Sequence, residues 1–191
     1  MNNAPIALSL LVLIIATIFF VAMANYEFLF YAITLLVLIG IVYWLNRQFA
    51  LSRLAAWGFL AWMIMHMAGG GLSVNGIRLY DVILLPIVGE PYNVLKYDQF
   101  VHYFCYVIMT LLVFPVFRSI LAPDANRLIF AVLLVLAASS IGAVNEIIEF
   151  AAVVIFHADG VGGYYNTCID LIANLLGAVT STFYLYARKE L

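Results

Sequence analysis

The residues of this chain that could do chemistry are few, and they interrupt long apolar runs: His66, Asp98, His102, Asn145, Glu146, Glu149, Asp170 and Asn174. Asp98 and His102 are four apart, and so are Asp170 and Asn174, so each pair shares one face if its segment is helical. Ser139, Gly142, Glu146 and Glu149 recur at helical offsets, as do Asp170, Asn174, Gly177 and Ser181. Each polar stripe thus continues into small residues, which let helices approach closely. The set contains four carboxylates and two imidazoles, with Tyr97, Asn145 and Asn174 as supporting groups and no Lys or Arg among them. Carboxylates and imidazoles from several helices are the usual ligands of zinc, manganese or iron. The candidate metal ligands are His66, Asp98, His102, Glu149 and Asp170. Glu146 or Glu149 is the candidate general base, the natural role for a carboxylate near such a site.

Composition says which elements must hold these residues. Of the 191 residues, 67% are hydrophobic and 9% charged, whereas soluble domains carry roughly 25% charged residues. So much apolar surface excludes a disordered chain. Two cysteines exclude a disulfide-stapled mini-protein. Eight Lys and Arg against ten Asp and Glu offer no basic face to nucleic acid.

Six stretches, about 4–24, 27–46, 54–72, 98–117, 128–156 and 168–187, are long enough to cross ~30 Å of hydrocarbon as helices. Lipid offers no partner to backbone groups, so each should be helical. The expectation is an all-α polytopic transmembrane bundle of about six helices, forming one integral-membrane domain over 1–191. Ala22-Met23-Ala24 resembles a signal-peptidase site, but no Lys or Arg precedes it. The first helix is therefore read as retained.

Six of the eight cations, Arg47, Arg53, Arg118, Arg127, Arg188 and Lys189, fall at one end of these spans. Only Arg78 and Lys96 fall at the other. The positive-inside rule then puts both termini in the cytoplasm, with Trp44 and Trp57 at the inner interface. In that frame His66, Asp98, His102 and Asp170 lie near outer helix ends, and Glu149 lies ~10 Å below one. Four helices bring acids, amides and imidazoles to one layer. The longest outer connection, 72–97, contains Val82-Ile83-Leu84-Leu85-Pro86-Ile87-Val88. That run is too short to span, so it either rests at the interface or covers a site beneath.

Three readings account for the layer. The plainest is mutual hydrogen bonding that fixes helix register, since buried polar groups are normally satisfied in pairs. Four carboxylates with at most two positive imidazoles fit that poorly. A bound divalent cation resolves the imbalance, although there is no HExxH, no Glu-x-x-His and no Cys-x-x-Cys. A proton or ion path is the third reading, but the inner halves of these helices carry Ser139, Ser140, Thr180 and Ser181 and no acid or histidine. Cys105, one turn below His102, is a small core residue or a soft ligand. A Cys105–Cys168 disulfide would need an awkward depth match.

The pattern His66…Gly69-Gly70, Tyr97-Asp98-x-x-x-His102, Asn145-Glu146-x-x-Glu149 and Asp170-x-x-x-Asn174-x-x-Gly177 resembles the YjdF-type family of small bacterial inner-membrane proteins, over about 54–178. Helices four to six are more loosely similar to VanZ-like membrane proteins. Those usually carry an Arg between the last two motifs, where this chain has Val161-Gly162-Gly163-Tyr164-Tyr165. The resemblance implies a multi-pass protein of the bacterial inner membrane and the same choice of residues. Neither family has a settled activity to carry over. The residues themselves lead to an outward-facing, metal-dependent hydrolase or transferase acting on a lipid or lipid-linked substrate. The alternative is a non-enzymatic sensor or a metal or proton carrier built on the same cluster.

Overall fold

The computed structural model describes residues 3–122, 124–157 and 161–191. Among them are six α-helices: α1 (Ala4–Ala22), α2 (Tyr26–Phe49), α3 (Arg53–Gly71), α4 (Tyr97–Ile120), α5 (Arg127–Phe156) and α6 (Tyr164–Ala187). Their starts are written in short polar side chains that accept otherwise orphaned backbone N–H groups. Asn25 Oδ1 accepts from Phe28 N, Ser52 Oγ from Ala55 N, and Asn126 Oδ1 from Leu128 N and Ile129 N. Pro5 opens α1, where a missing N–H costs nothing.

Five of these helices are long and apolar enough to cross a membrane. The exception is α3, which carries Arg53, His66 and three consecutive glycines. It tolerates that composition because it packs against α1 on one side and α4 on the other, with Ala55, Phe59 and Met63 fully buried. The exposed side chains elsewhere are those that lipid accepts, such as Ile14, Ile15 and Ile18 of α1 and Ile147, Phe150 and Val154 of α5. The molecule is an all-α polytopic membrane bundle.

The hub of the bundle is α4, which packs most extensively on α6 and also meets α3, α5 and α2. α1 lies against α2 and α3, while α2 touches α5 only lightly. Two groups of three helices therefore meet across α4. Both chain termini and the α2–α3 and α4–α5 connections share one end, where Asn46 Nδ2 donates to Asn3 Oδ1.

The opposite end holds the 72–97 connection, which folds into two short antiparallel strand pairs. Strands β1 (Ser73–Val74) and β2 (Ile77–Arg78) pair antiparallel, a 3-10 turn covers Leu79–Asp81, and β3 (Ile83–Val88) pairs antiparallel with β4 (Val94–Lys96). The apolar run becomes a strand exposed along its whole length. What reaches into the bundle instead is Tyr80, which is buried. β4 leads straight into α4. Tyr97 N donates to Val82 O at 2.8 Å, and Gln99 Oε1 accepts from the backbone N–H groups of Leu95 and Lys96. The hairpin thereby pins the first turn of α4, where Asp98 sits. Both cysteines are free.

Candidate functional site

Three helices bring the polar stripes together, and close approach makes it possible. A Cβ on Gly177 would collide with the backbone of Tyr103 and Val107, so only glycine lets α6 lie this close to α4. A Cβ on Gly142 would press on Asn174, which ties α5 to the same seam. Asp98 and His102 come from α4, Asn145, Glu146 and Glu149 from α5, and Asp170 and Asn174 from α6.

His102 stands at the centre, 7% exposed. Its Nδ1 is 3.1 Å from Asn174 Oδ1 and 3.5 Å from Glu146 Oε1. Its Nε2 is 3.5 Å from Glu149 Oε1 and 3.7 Å from Asp98 Oδ1. Asn145 Nδ2 donates to Glu149 Oε1 at 2.7 Å. Asn166 Nδ2 donates to Asp170 Oδ2 at 2.5 Å and to Asp98 Oδ2 at 3.1 Å, bridging α6 to α4. Among the described residues, no Lys or Arg forms an ion pair with any of these four acids; Arg78 and Lys96 pair with Asp81 in the loop.

His66 occupies the opposite wall of the same cavity. It stacks on Trp62, and its Nδ1 is 2.6 Å from Tyr80 Oη, which also donates to the His66 carbonyl at 3.1 Å. Both contacts hold at once only when Nδ1 carries the proton and donates to the phenol oxygen, which leaves a lone pair on Nε2. Tyr80 comes this near because Gly69 has no side chain; a Cβ there would overlap the phenol ring. Tyr97, the other supporting residue, donates to Met65 O at 3.2 Å and packs on Tyr80, joining α4 to α3.

The cavity between these walls measures about 30 Å³, room for an ion with a water or two. Glu27, Tyr31, His66, Tyr80, Asp98, His102, Asn145 and Glu149 all line it. Neither Glu146 nor Asp170 is part of the lining; both are buried beside it. Sequence reasoning overlooked three groups here. Glu27, the first residue of the second apolar stretch, stands in the first turn of α2. Asn166 was placed before the sixth span, whereas α6 begins a turn earlier. Tyr80 lay in a segment read for its apolar run alone. Only the i, i+4 spacing of Asn166 and Asp170 hinted at a role.

Among the described residues, two sets of side chains have the shape of a cation site. Asp98, His102 and Asp170 each offer a ligand atom within 4.8 Å of the others, and so do His102, Glu146 and Glu149. Ligand atoms of a tetrahedral zinc ion lie about 3.3 Å apart, so the side chains of either set would have to close in to hold one. His66 belongs to neither set. The unmet demand is also local. Both Glu146 oxygens and Asp170 Oδ1 are buried and accept no hydrogen bond among the described residues, a state that costs about 1–3 kcal/mol per group. A positive charge fits that vacancy of donors.

Residues 5–190 match a family whose description reads "Predicted membrane protein (DUF2238)". The chain belongs to that family. No curated protein and no solved structure matches it. DUF2238 thus covers nearly the whole bundle, including every residue of the polar layer.

Proposed function

We propose that this DUF2238 protein is a metal-dependent hydrolase or transferase of the bacterial inner membrane, acting on a lipid or lipid-linked substrate from the outer half of the bilayer. The observation that supports this reading is His102 ringed by four carboxylates, three of whose buried oxygens accept no hydrogen bond among the described residues. Asp98, His102 and Asp170 would hold a divalent ion (zinc, manganese or iron) that compensates their charge and polarises an ester or phosphoryl oxygen. Glu149 is the general base, because it faces the cavity and Asn145 orients it. It accepts the proton of an attacking water or alcohol and returns it to the leaving oxygen. Asn174 Oδ1 holds that imidazole in place at Nδ1, and Glu146 Oε1 lies 3.5 Å from the same nitrogen. His66 Nε2 faces the other side of the reacting group as an acceptor or second proton carrier. The YjdF-type resemblance supports the inner-membrane setting, and the cation asymmetry supports the outward-facing site.

Elemental analysis of purified protein tests the reading first, with roughly one divalent ion per chain expected. Glu149→Gln should then keep the ion and the fold while lowering turnover of a phospholipid or lipid-linked substrate about 10²–10⁴-fold. Metal-loaded protein that converts no such substrate, yet moves ions or protons across a proteoliposome membrane, would instead be a carrier.

A further inference from the structure

Where α2 and α5 touch lightly, the bundle is open to the bilayer along a groove of about 380 Å³. Its walls are divided by polarity. Tyr31, His66, Asn145 and Glu149 gather at one end, and these same four residues line the polar cavity beside His102. The rest is lined mainly by apolar side chains, including Ile33, Val37 and Ile41 of α2 and Val144 of α5, all exposed on the outer surface. From Tyr31 to Ile41 is ten residues of helix, roughly 15 Å and about half of a ~30 Å hydrocarbon core. The groove is as long as one leaflet is deep. It is apolar where acyl chains lie and polar where a chain joins its oxygen-bearing head. The exposed strand β3 covers none of it.

We propose that the groove between α2 and α5 seats a single acyl chain of a membrane lipid, with the carbon–oxygen junction of that chain against Asn145, Glu149 and His66. The inference rests on the reading of the polar cluster as a site acting on lipid, and it adds the route of access and the part of the lipid that is held. Lateral access suits such a substrate, because the chain never leaves hydrocarbon while its head reaches the acids and imidazoles. The groove holds one chain, so a lipid with two would leave the second in the bilayer.

Trp62 makes the test direct, since it lines both groove and cavity and is itself buried. In a Trp44→Phe, Trp57→Phe background it is the sole tryptophan. The full chain is reconstituted in phosphatidylethanolamine–phosphatidylglycerol vesicles, with or without bromine atoms at the middle of the acyl chains. The inference expects Trp62 emission to be quenched severalfold by the brominated lipid. Val37→Phe and Val144→Phe, which fill the groove from separate helices at lipid-facing positions, should each restore most of it. Unquenched Trp62 in the unfilled protein overturns the inference, as does quenching that neither substitution relieves. Loss of self-association in Val144→Phe with no quenching at any stage assigns the groove to a second copy and also overturns it. Quenching is read without turnover. A chain-filled groove without activity leaves the inference standing and removes the hydrolase. Activity on lipid without quenching does the reverse.

Discussion

The two ring nitrogens of His102 face different neighbours, Nδ1 toward Glu146 and Asn174 and Nε2 toward Glu149 and Asp98. Removing the ring therefore leaves acids of α4, α5 and α6 facing one another without a basic partner. Breaking a buried charge pair in this way costs about 3–5 kcal/mol. His102→Ala should lower the melting temperature markedly and reduce bound metal more than the about 10–100-fold typical of outer-shell changes. Unfolding scans and elemental analysis of the variant read both effects. Tyr80 lends itself to a different measurement. Burial holds its phenol well above the ordinary value, so the unfolded chain ionises near pH 10 while the folded one stays protonated. The unfolded state then binds fewer protons, and stability falls as pH rises above that value. Tyr80→Phe should flatten the fall and cost about 1 kcal/mol at neutral pH through the lost His66 contact. Unfolding across an alkaline pH series checks both.

At the scale of elements, the site depends on how closely α6 approaches α4. Gly177→Val would set a side chain against the backbone at Tyr103 and Val107, atoms that move only if a helix moves. Overpacking of this kind costs about 1–3 kcal/mol. Because Asn174 and Asp170 lie one and two turns up the same helix, metal binding should weaken along with stability. Gly40→Ala is the contrast: nothing lies within 4 Å of its added Cβ. That variant should be neutral or more stable by up to about 1 kcal/mol, with metal content unchanged. Equal losses in the two variants would count against the seam as the positioning element. Asn166 acts between elements too, since its amide serves Asp98 on α4 and Asp170 on its own helix. Asn166→Ala should loosen the Asp98–Asp170 pairing and lower metal affinity by about 10–100-fold, read by competition with a chelator.

At the scale of the whole molecule, the cation asymmetry predicts an orientation, with the polar layer outward, that labelling can read. With Cys105 and Cys168 replaced, Ile87→Cys in exposed β3 and Ser119→Cys near the end of α4 report on opposite ends of the bundle. A membrane-impermeant maleimide on intact cells should label Ile87→Cys at once. Ser119→Cys should react only after permeabilisation. The reverse pattern would turn the polar layer toward the cytoplasm and remove the outward-facing reading of the site.

The six helices were legible in the chain itself, because hydrocarbon demands a minimum length of apolar residues, while their starts at Asn25, Ser52 and Asn126 came from the structure. So was the depth of the polar layer. A fixed rise per residue converts the positions of Asp98, His102, Glu149 and Asp170 into heights, and alternating spans place those heights together. Rise says nothing about angle. Which helix stands beside which was decided by packing, where Gly177 meets α4 and Gly69 admits Tyr80, and lipid-facing apolar residues carry no label for their neighbours. His66 consequently shares the layer but stands across the cavity from the carboxylates. Glu27, Asn166 and Tyr80 were hidden for a related reason. Each lies at a helix end or in a turn, at or beyond the edge of the apolar runs, and only the assembled bundle turns such margins inward.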